Sequence, residues 1–234
     1  MGKKLTWHGH ANFQVQCTCA SENLNLLFDP FFTGNPKAAV KADAIARPDI
    51  VLVSHSHGDH MGDAADICKR TGALLAIPVG VADTYTKAGV AGAQILNGHG
   101  FNIGGTMEAK GVSITMTQAF HTTNDVPPVG YIVRLPDGYT IYHAGDTGIF
   151  GGMELLGQLY AIDLALLPTG SVYTMDMRQA ALAAKLLRAK TVIPMHWGTF
   201  PALAQSMDAF PGMVEQVGSR CVVMQPGETI DLCA

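Results

Sequence analysis

Apolar and polar positions alternate over the first part of the chain, and a period of two marks strands with one buried face. Residues 11–18 (ANFQVQCT) and 23–30 (NLNLLFDP) follow this pattern, and the Ser/Glu/Asn stretch between them predicts a strand pair. Residues 49–54 (DIVLVS) form a continuous apolar run, as do 163–170 (DLALLPTG) and 191–197 (TVIPMHW), which predicts strands covered on both faces. Residues 73–78 (ALLAIP) and 112–120 (VSITMTQAF) add two more strands, and 130–145 (GYIVRLPDGYTIYHAG) reads as a hairpin about Asp137-Gly138. Two segments read as helices. One is 62–72, closed by Gly72; the clearer one is 176–190, capped by Asp176 with Gln179 three residues on. Strands and helices are thus mixed in both halves, which predicts an α/β fold with helices packed over sheets. No linker, short-period repeat or low-complexity segment divides the chain, so residues 1–234 are expected to form one domain.

Composition narrows the classes of partner. With 48% apolar and 15% charged residues the chain can build a sizeable core and needs no disordered tail. A net charge of -4 without any Lys/Arg-rich run argues against a nucleic-acid partner. There is no apolar window of membrane-spanning length and no apolar leader, so neither a membrane span nor a secretory signal is expected. MGKKLT fits a myristoylation pattern, but is better explained as the start of a first strand. The five cysteines are odd in number and lack metal-finger spacing; we expect reduced thiols and a cytoplasmic location.

The chemistry concentrates in 51–60, VLVSHSHGDH. His55 and His57 are two apart, so in an extended chain both imidazoles point to one side. Gly58 permits a sharp turn, after which Asp59 and His60 come round at the start of the next helix. Imidazole nitrogen with carboxylate oxygen suits Zn, Mn or Fe. More candidates follow other apolar strands: His121 after 112–120, Asp146 after the hairpin, and His196 after 191–195. Strand ends of α/β layers are where ligands usually bind, so all of these are expected to converge on one edge.

SHSHGDH resembles the His-x-His-x-Asp-His signature of the metallo-β-lactamase superfamily, and His121, Asp146 in YHAGDTG and His196 in IPMHWGTF follow in the matching order. LTWHGHANFQV, LFDPFFTGNP, NIGG, TGSVYTM and PGE extend the resemblance to the small metal-dependent hydrolases of the UPF0173 type, over residues 4 to about 230. The resemblance implies a four-layer αββα sandwich with two divalent metal ions, zinc first and Mn or Fe next. His55, His57 and His121 would bind one ion; Asp59, His60 and His196 the other; Asp146 would bridge them. The implied activity is hydrolysis of a small-molecule ester, lactone or phosphodiester by a bridging hydroxide, with Asp59 orienting it and His10, in the early Gly9-His10 element, as proton donor or partner of a ligand. Asp146 replaces the Cys of many true β-lactamases, His57 replaces the Glu of flavodiiron oxidoreductases, and no nuclease arm is visible. Ester or lactone cleavage therefore ranks above phosphodiester cleavage. Two other classes stay open: a mononuclear iron oxidoreductase of the sulfur-dioxygenase kind, and a non-catalytic metal-binding protein. Members of this size often associate, so a homo-oligomer stays open.

Other residues carry smaller expectations. Asp29 is expected to accept a hydrogen bond from a ligand histidine. His143 is assigned to the core or to support of a ligand, and His8 and His99 to structure or surface. Residues 33–36 either shape the pocket mouth or form an ordinary turn, and Tyr173 and Thr199 either touch substrate or pack. Thr122, Thr123 and the stiff Pro127-Pro128 pair depart from the family pattern after the third histidine.

Overall fold

A computed structural model describes residues 2–19 and 22–232. The chain opens with three antiparallel strands, β1 (Lys3–Trp7), β2 (Phe13–Cys19) and β3 (Glu22–Phe28). β4 (Ile50–Leu52) follows, then a single turn α1 (Gly58–Met61), α2 (Ala64–Thr71), β5 (Leu74–Ala76) and α3 (Ala82–Lys87). The second half runs β6 (Thr106–Ala109), β7 (Val112–Gln118), β8 (Val129–Arg134), β9 (Thr140–His143), α4 (Gly152–Leu159), β10 (Leu164–Pro168), α5 (Met177–Leu187), β11 (Thr191–Met195), α6 (Phe210–Gln216), β12 (Arg220–Cys221) and β13 (Thr229–Asp231).

The strands form two mixed sheets, β13-β1-β2-β3-β4-β5 and β12-β11-β10-β9-β8-β7-β6. Side-chain alternation builds the layers. Leu24, Leu26 and Phe28 of β3, with Ile50 and Leu52 of β4, join residues of the second sheet in one core. Leu27 and Val51, one residue out of phase, join a second core with Ala64, Ile67 and Cys68 of α2. β3 and β4 are therefore covered on both faces, which is why 49–54 reads as an unbroken apolar run. On the other side α5 buries Ala180, Ala183, Ala184 and Leu187 and packs between α4 and α6. The result is the expected αββα sandwich. Tyr131 of β8 ties the two sheets together: its hydroxyl donates to the carbonyls of Val53 at 2.8 Å and Ala76 at 3.1 Å.

The predicted elements need three corrections. The Asp176 carboxylate accepts from the Gln179 amide as expected, but α5 stops at Leu187 rather than 190, because Arg188 turns left-handed at φ 51°. α2 is shorter than 62–72, since Gly62 at φ 35° ends α1 first; Gly72 closes α2 as predicted. Cys17 is disulfide-bonded, against the expectation of reduced thiols. Sequence spacing could not forecast this, because a disulfide depends on the distance and direction of the two Cβ atoms in the fold. Cys68 and Cys221 are free, while the Cys19 side chain and Cys233 lie outside the described residues. Among the described residues no helix is long and apolar enough to cross a membrane.

Candidate metal centre

β7 and β9 run in the same direction, being separated by the antiparallel β8, and β9, β10 and β11 are parallel. Their C-terminal ends therefore share one edge. His121 follows β7, Asp146 follows β9 and His196 follows β11; from the other sheet, β4 delivers His55 and His57, and α1 carries Asp59 and His60. Ligand atoms of His55, His57 and His121 lie within 4.8 Å of one another, as do those of His10, Asp59, His60 and His196, and those of His55, His60 and Asp146. The structure thus brings together all seven predicted ligand residues, with His10 as an eighth member. Asp146 stands between the groups: Oδ1 is 3.3 Å from His60 Nε2, and Oδ2 is 3.1 Å from His196 Nε2 and 3.6 Å from His121 Nε2.

Hydrogen bonds beneath the cluster fix which ring nitrogens are bare. Asp29, at the end of β3, accepts from the Ser54 amide and hydroxyl, both at 2.7 Å, and from His60 Nδ1 at 2.7 Å. The Ser54 proton being used, the hydroxyl oxygen accepts from His55 Nδ1 at 2.9 Å. Both histidines therefore carry a proton on Nδ1 and turn Nε2 into the cluster, where an ion would displace any proton held there. His60 Nε2 and Asp146 Oδ1 are buried and have no hydrogen-bond partner among the described residues. Such atoms are costly to leave unsatisfied, and a cation between them removes that cost. The imidazole and carboxylate donors fit divalent ions of the zinc, manganese or iron kind. Left-handed backbone at His10, Asp29 and His196, with φ 59°, 40° and 58°, costs on the order of 1–3 kcal/mol each and persists where packing enforces it.

The sequence model of the beta-lactamase superfamily domain matches residues 24–197. The chain belongs to this superfamily. A UPF0173 metal-dependent hydrolase of Nitratidesulfovibrio vulgaris is 59% identical over 234 residues, spanning 99% of this chain and 96% of that protein. A UPF0173 metal-dependent hydrolase of Methanopyrus kandleri is 44% identical, spanning 97% and 99%. Among solved structures, the metallo hydrolase Igni18 of Ignicoccus hospitalis matches with a TM-score of 0.88 at 38% identity, over 99% of this chain and 98% of that one. The protein is a metal-dependent hydrolase of the beta-lactamase superfamily, and the His/Asp cluster is the part of the chain suited to divalent metal.

Electrostatics in this superfamily site favour a cation. Burial opposes a charged His60, but Asp146 and Asp29 outweigh it and hold its pKa well above the ordinary value. Burial likewise opposes a charged Asp146, yet His60 and His196 hold its carboxyl well below the usual range. At His55 burial and the charge of neighbouring His60 outweigh Asp146 and Asp29 and push it down to about 2. His10 is buried and pushed down to about 4, so it is neutral; its Nε2 donates to Asp59 Oδ2 at 3.1 Å and its Nδ1 accepts from the Thr199 hydroxyl at 2.9 Å. The Asp59 side chain keeps 28% exposure and so faces solvent.

The smaller expectations resolve as follows. Asp29 bonds His60 as predicted. His143 stays in the core, stacked on Phe28, with Nε2 donating to the Ala11 carbonyl. His8 is buried against Gln14 and His99 is exposed. Thr33 is tied to Asp63, so 33–36 is a fixed turn. Thr199 touches His10, while Tyr173 is 58% exposed. Two contributors escaped the sequence reading. Ser54 links three site residues, and only its place just before His55 could have signalled it. A Cβ on Gly170 would lie 2.0 Å from the His196 carbonyl, so only glycine lets the loop after β10 pass the ligand strand.

Proposed function

We propose that the protein hydrolyses a small-molecule ester, lactone or phosphodiester at a dinuclear centre carried by one domain, 1–234. In this reading His55, His57 and His121 hold one ion, Asp59, His60 and His196 hold the other, and Asp146 is shared. The carrying observation is Asp146: it is buried between the two groups, with contacts to both and one oxygen that no hydrogen bond satisfies. Two divalent ions, zinc first and manganese or iron next, would supply Lewis acidity and a water acidified toward neutral pH.

The chain's own residues then handle orientation and the proton. Asp59 faces the opening and is held by His10, so its carboxylate is placed to orient the attacking water and accept its proton. The water oxygen forms the new bond to the carbonyl carbon or phosphorus. The bond to the leaving oxygen breaks, and that oxygen takes the proton back from the Asp59–His10 pair. Thr199 keeps His10 in the tautomer this needs, with Nε2 protonated.

Elemental analysis of the purified protein with a hydrolysis screen tests the reading. About two equivalents of a divalent metal per chain, with ester, lactone or phosphodiester turnover lost on removing it, is the expected result. One iron per chain with oxygen uptake and no hydrolysis overturns it.

A further inference from the structure

The site's surroundings narrow the substrate. Segments 8–12, 55–63, 119–128, 144–152, 169–176 and 196–208 carry the cluster and its neighbours, and none contains a Lys or Arg. Within these segments an anionic phosphate ester would find no side-chain cation beyond the proposed ions; outside them, Lys37 lies beside Gly9 and lines a cavity with Trp197 and Gly198. What the mouth does carry is an exposed carboxylate: Asp125 accepts from the Ser56 hydroxyl at 2.7 Å, between His55 and His57 in sequence. It repels an anionic substrate.

The same edge exposes large apolar side chains. Phe120, directly before His121, is 60% exposed, and Val172 and Tyr173 are 67% and 58% exposed. They are joined through the residue after Asp146. The Phe120 amide donates to the Thr147 hydroxyl at 2.9 Å, and the Met175 amide donates to the Thr147 carbonyl at 3.2 Å. Exposure of Val172 is built in, because Ser171 and Val172 are both left-handed, at φ 61° and 47°. A β-branched residue rarely adopts that conformation, and such backbone persists chiefly at functional loops.

We propose that the site takes an uncharged carboxylic ester or lactone whose apolar acyl part rests against Phe120, Val172 and Tyr173. The proposal rests on the hydrolase reading above and selects among its three substrate classes. The carbonyl lies over the cluster, where His57, Asp59 and His121 are half-exposed, and the acyl chain runs along the apolar side of the mouth.

The test uses the metal-loaded protein and two readouts. Calorimetric titration with butano-, hexano- and octanohydroxamate measures binding without turnover. Kd is expected to fall two- to fourfold per methylene, toward the full contribution of a buried methylene. In the Phe120→Ser/Tyr173→Ser double variant the fall shrinks to under 1.5-fold per methylene, with metal per chain as the control. In parallel, kcat/KM is measured for p-nitrophenyl butanoate, p-nitrophenyl octanoate and bis(p-nitrophenyl) phosphate. Preference for the octanoate, lost in the variant, supports the proposal. A flat hydroxamate series, or turnover of the phosphodiester alone, overturns it and leaves the hydrolase reading standing. No turnover of any of the three, with metal bound, overturns both. A variant that changes only the elution volume in gel filtration assigns the patch to a second copy of the chain and also overturns the proposal.

Discussion

His60 is buried between two carboxylates, Asp29 and Asp146, whereas His57 is half-exposed and its Nδ1 faces two imidazoles, His55 Nε2 at 3.1 Å and His121 Nε2 at 3.3 Å. The two proposed ion positions therefore differ in charge and in access. Around His60 the carboxylates are already held ionised, and a cation completes them. Around His57 the donors are three imidazoles, and water reaches two of them. The difference teaches that one edge motif can build a tight, electrostatically prepared position and a looser one beside it. Metal titration of the metal-free protein should resolve two steps, the tighter at the His60 group; coincident steps would erase the distinction.

Asp146→Ala gives the largest change, because that carboxylate serves both groups. Both steps should weaken by more than the roughly 100-fold that loss of an outer partner causes, and turnover should vanish. Retention of the tight step after this substitution would show that Asp146 is not the shared group. Asp29→Asn comes next. The amide oxygen can still accept from the Ser54 amide, but its NH2 then meets the His60 Nδ1 proton and turns the ring's proton preference around. The tight step should weaken roughly 10–100-fold and the loose step much less. The same residue also sets acid stability. Its carboxyl lies at about 2, because His60 and its neighbours outweigh burial. A depressed carboxyl stabilises the fold above its ordinary pKa of 3.8 and loses that contribution as pH falls toward about 2. Circular dichroism of the metal-free protein should show about 2 kcal/mol lost across that window, and Asp29→Asn should lack this component.

The legibility of the molecule follows the same division. The proposed ligand residues were readable because four of them crowd into 55–60 and the others each end an apolar strand, so local pattern already encodes placement. Their supports were readable only in part. Asp29 stands out as a carboxylate at a strand end, but Ser54 is marked only by its place before His55, and Thr199 was singled out without its partner His10, because both roles depend on segments brought together by the fold. Among the elements, α3, α4 and α6 were not predicted; α4 starts at Gly152 and carries Gly157, and glycine weakens a helical pattern. A Cβ on Gly157 would lie 2.4 Å from the Leu186 carbonyl, so that glycine is there to let α4 lie close to α5. The disulfide at Cys17 was missed because an odd cysteine count argued against any pairing.

Two hydroxyls provide the finest contrast, since each steadies one imidazole and neither is a ligand. Ser54 supports both groups, through Asp29 and His60 on one side and His55 on the other. Ser54→Ala frees His55 Nδ1 from its only side-chain acceptor among the described residues, so the loose step should weaken about tenfold, the low end for such partners. Thr199 supports only His10, and its proton can satisfy either His10 Nδ1 at 2.9 Å or the Trp197 carbonyl at 3.3 Å. Thr199→Val keeps the shape and removes the hydroxyl. His10 Nδ1 is then buried without a partner, a cost of about 1–3 kcal/mol. Moving the proton to Nδ1 would relieve nothing, because it strips the hydrogen bond that holds Asp59. Metal content and both binding steps should therefore change less than threefold, while the melting temperature drops and kcat falls more than KM changes. If the tight metal step weakens instead by tenfold or more, His10 is itself gripping the ion, and the proton-handling role assigned to it is wrong.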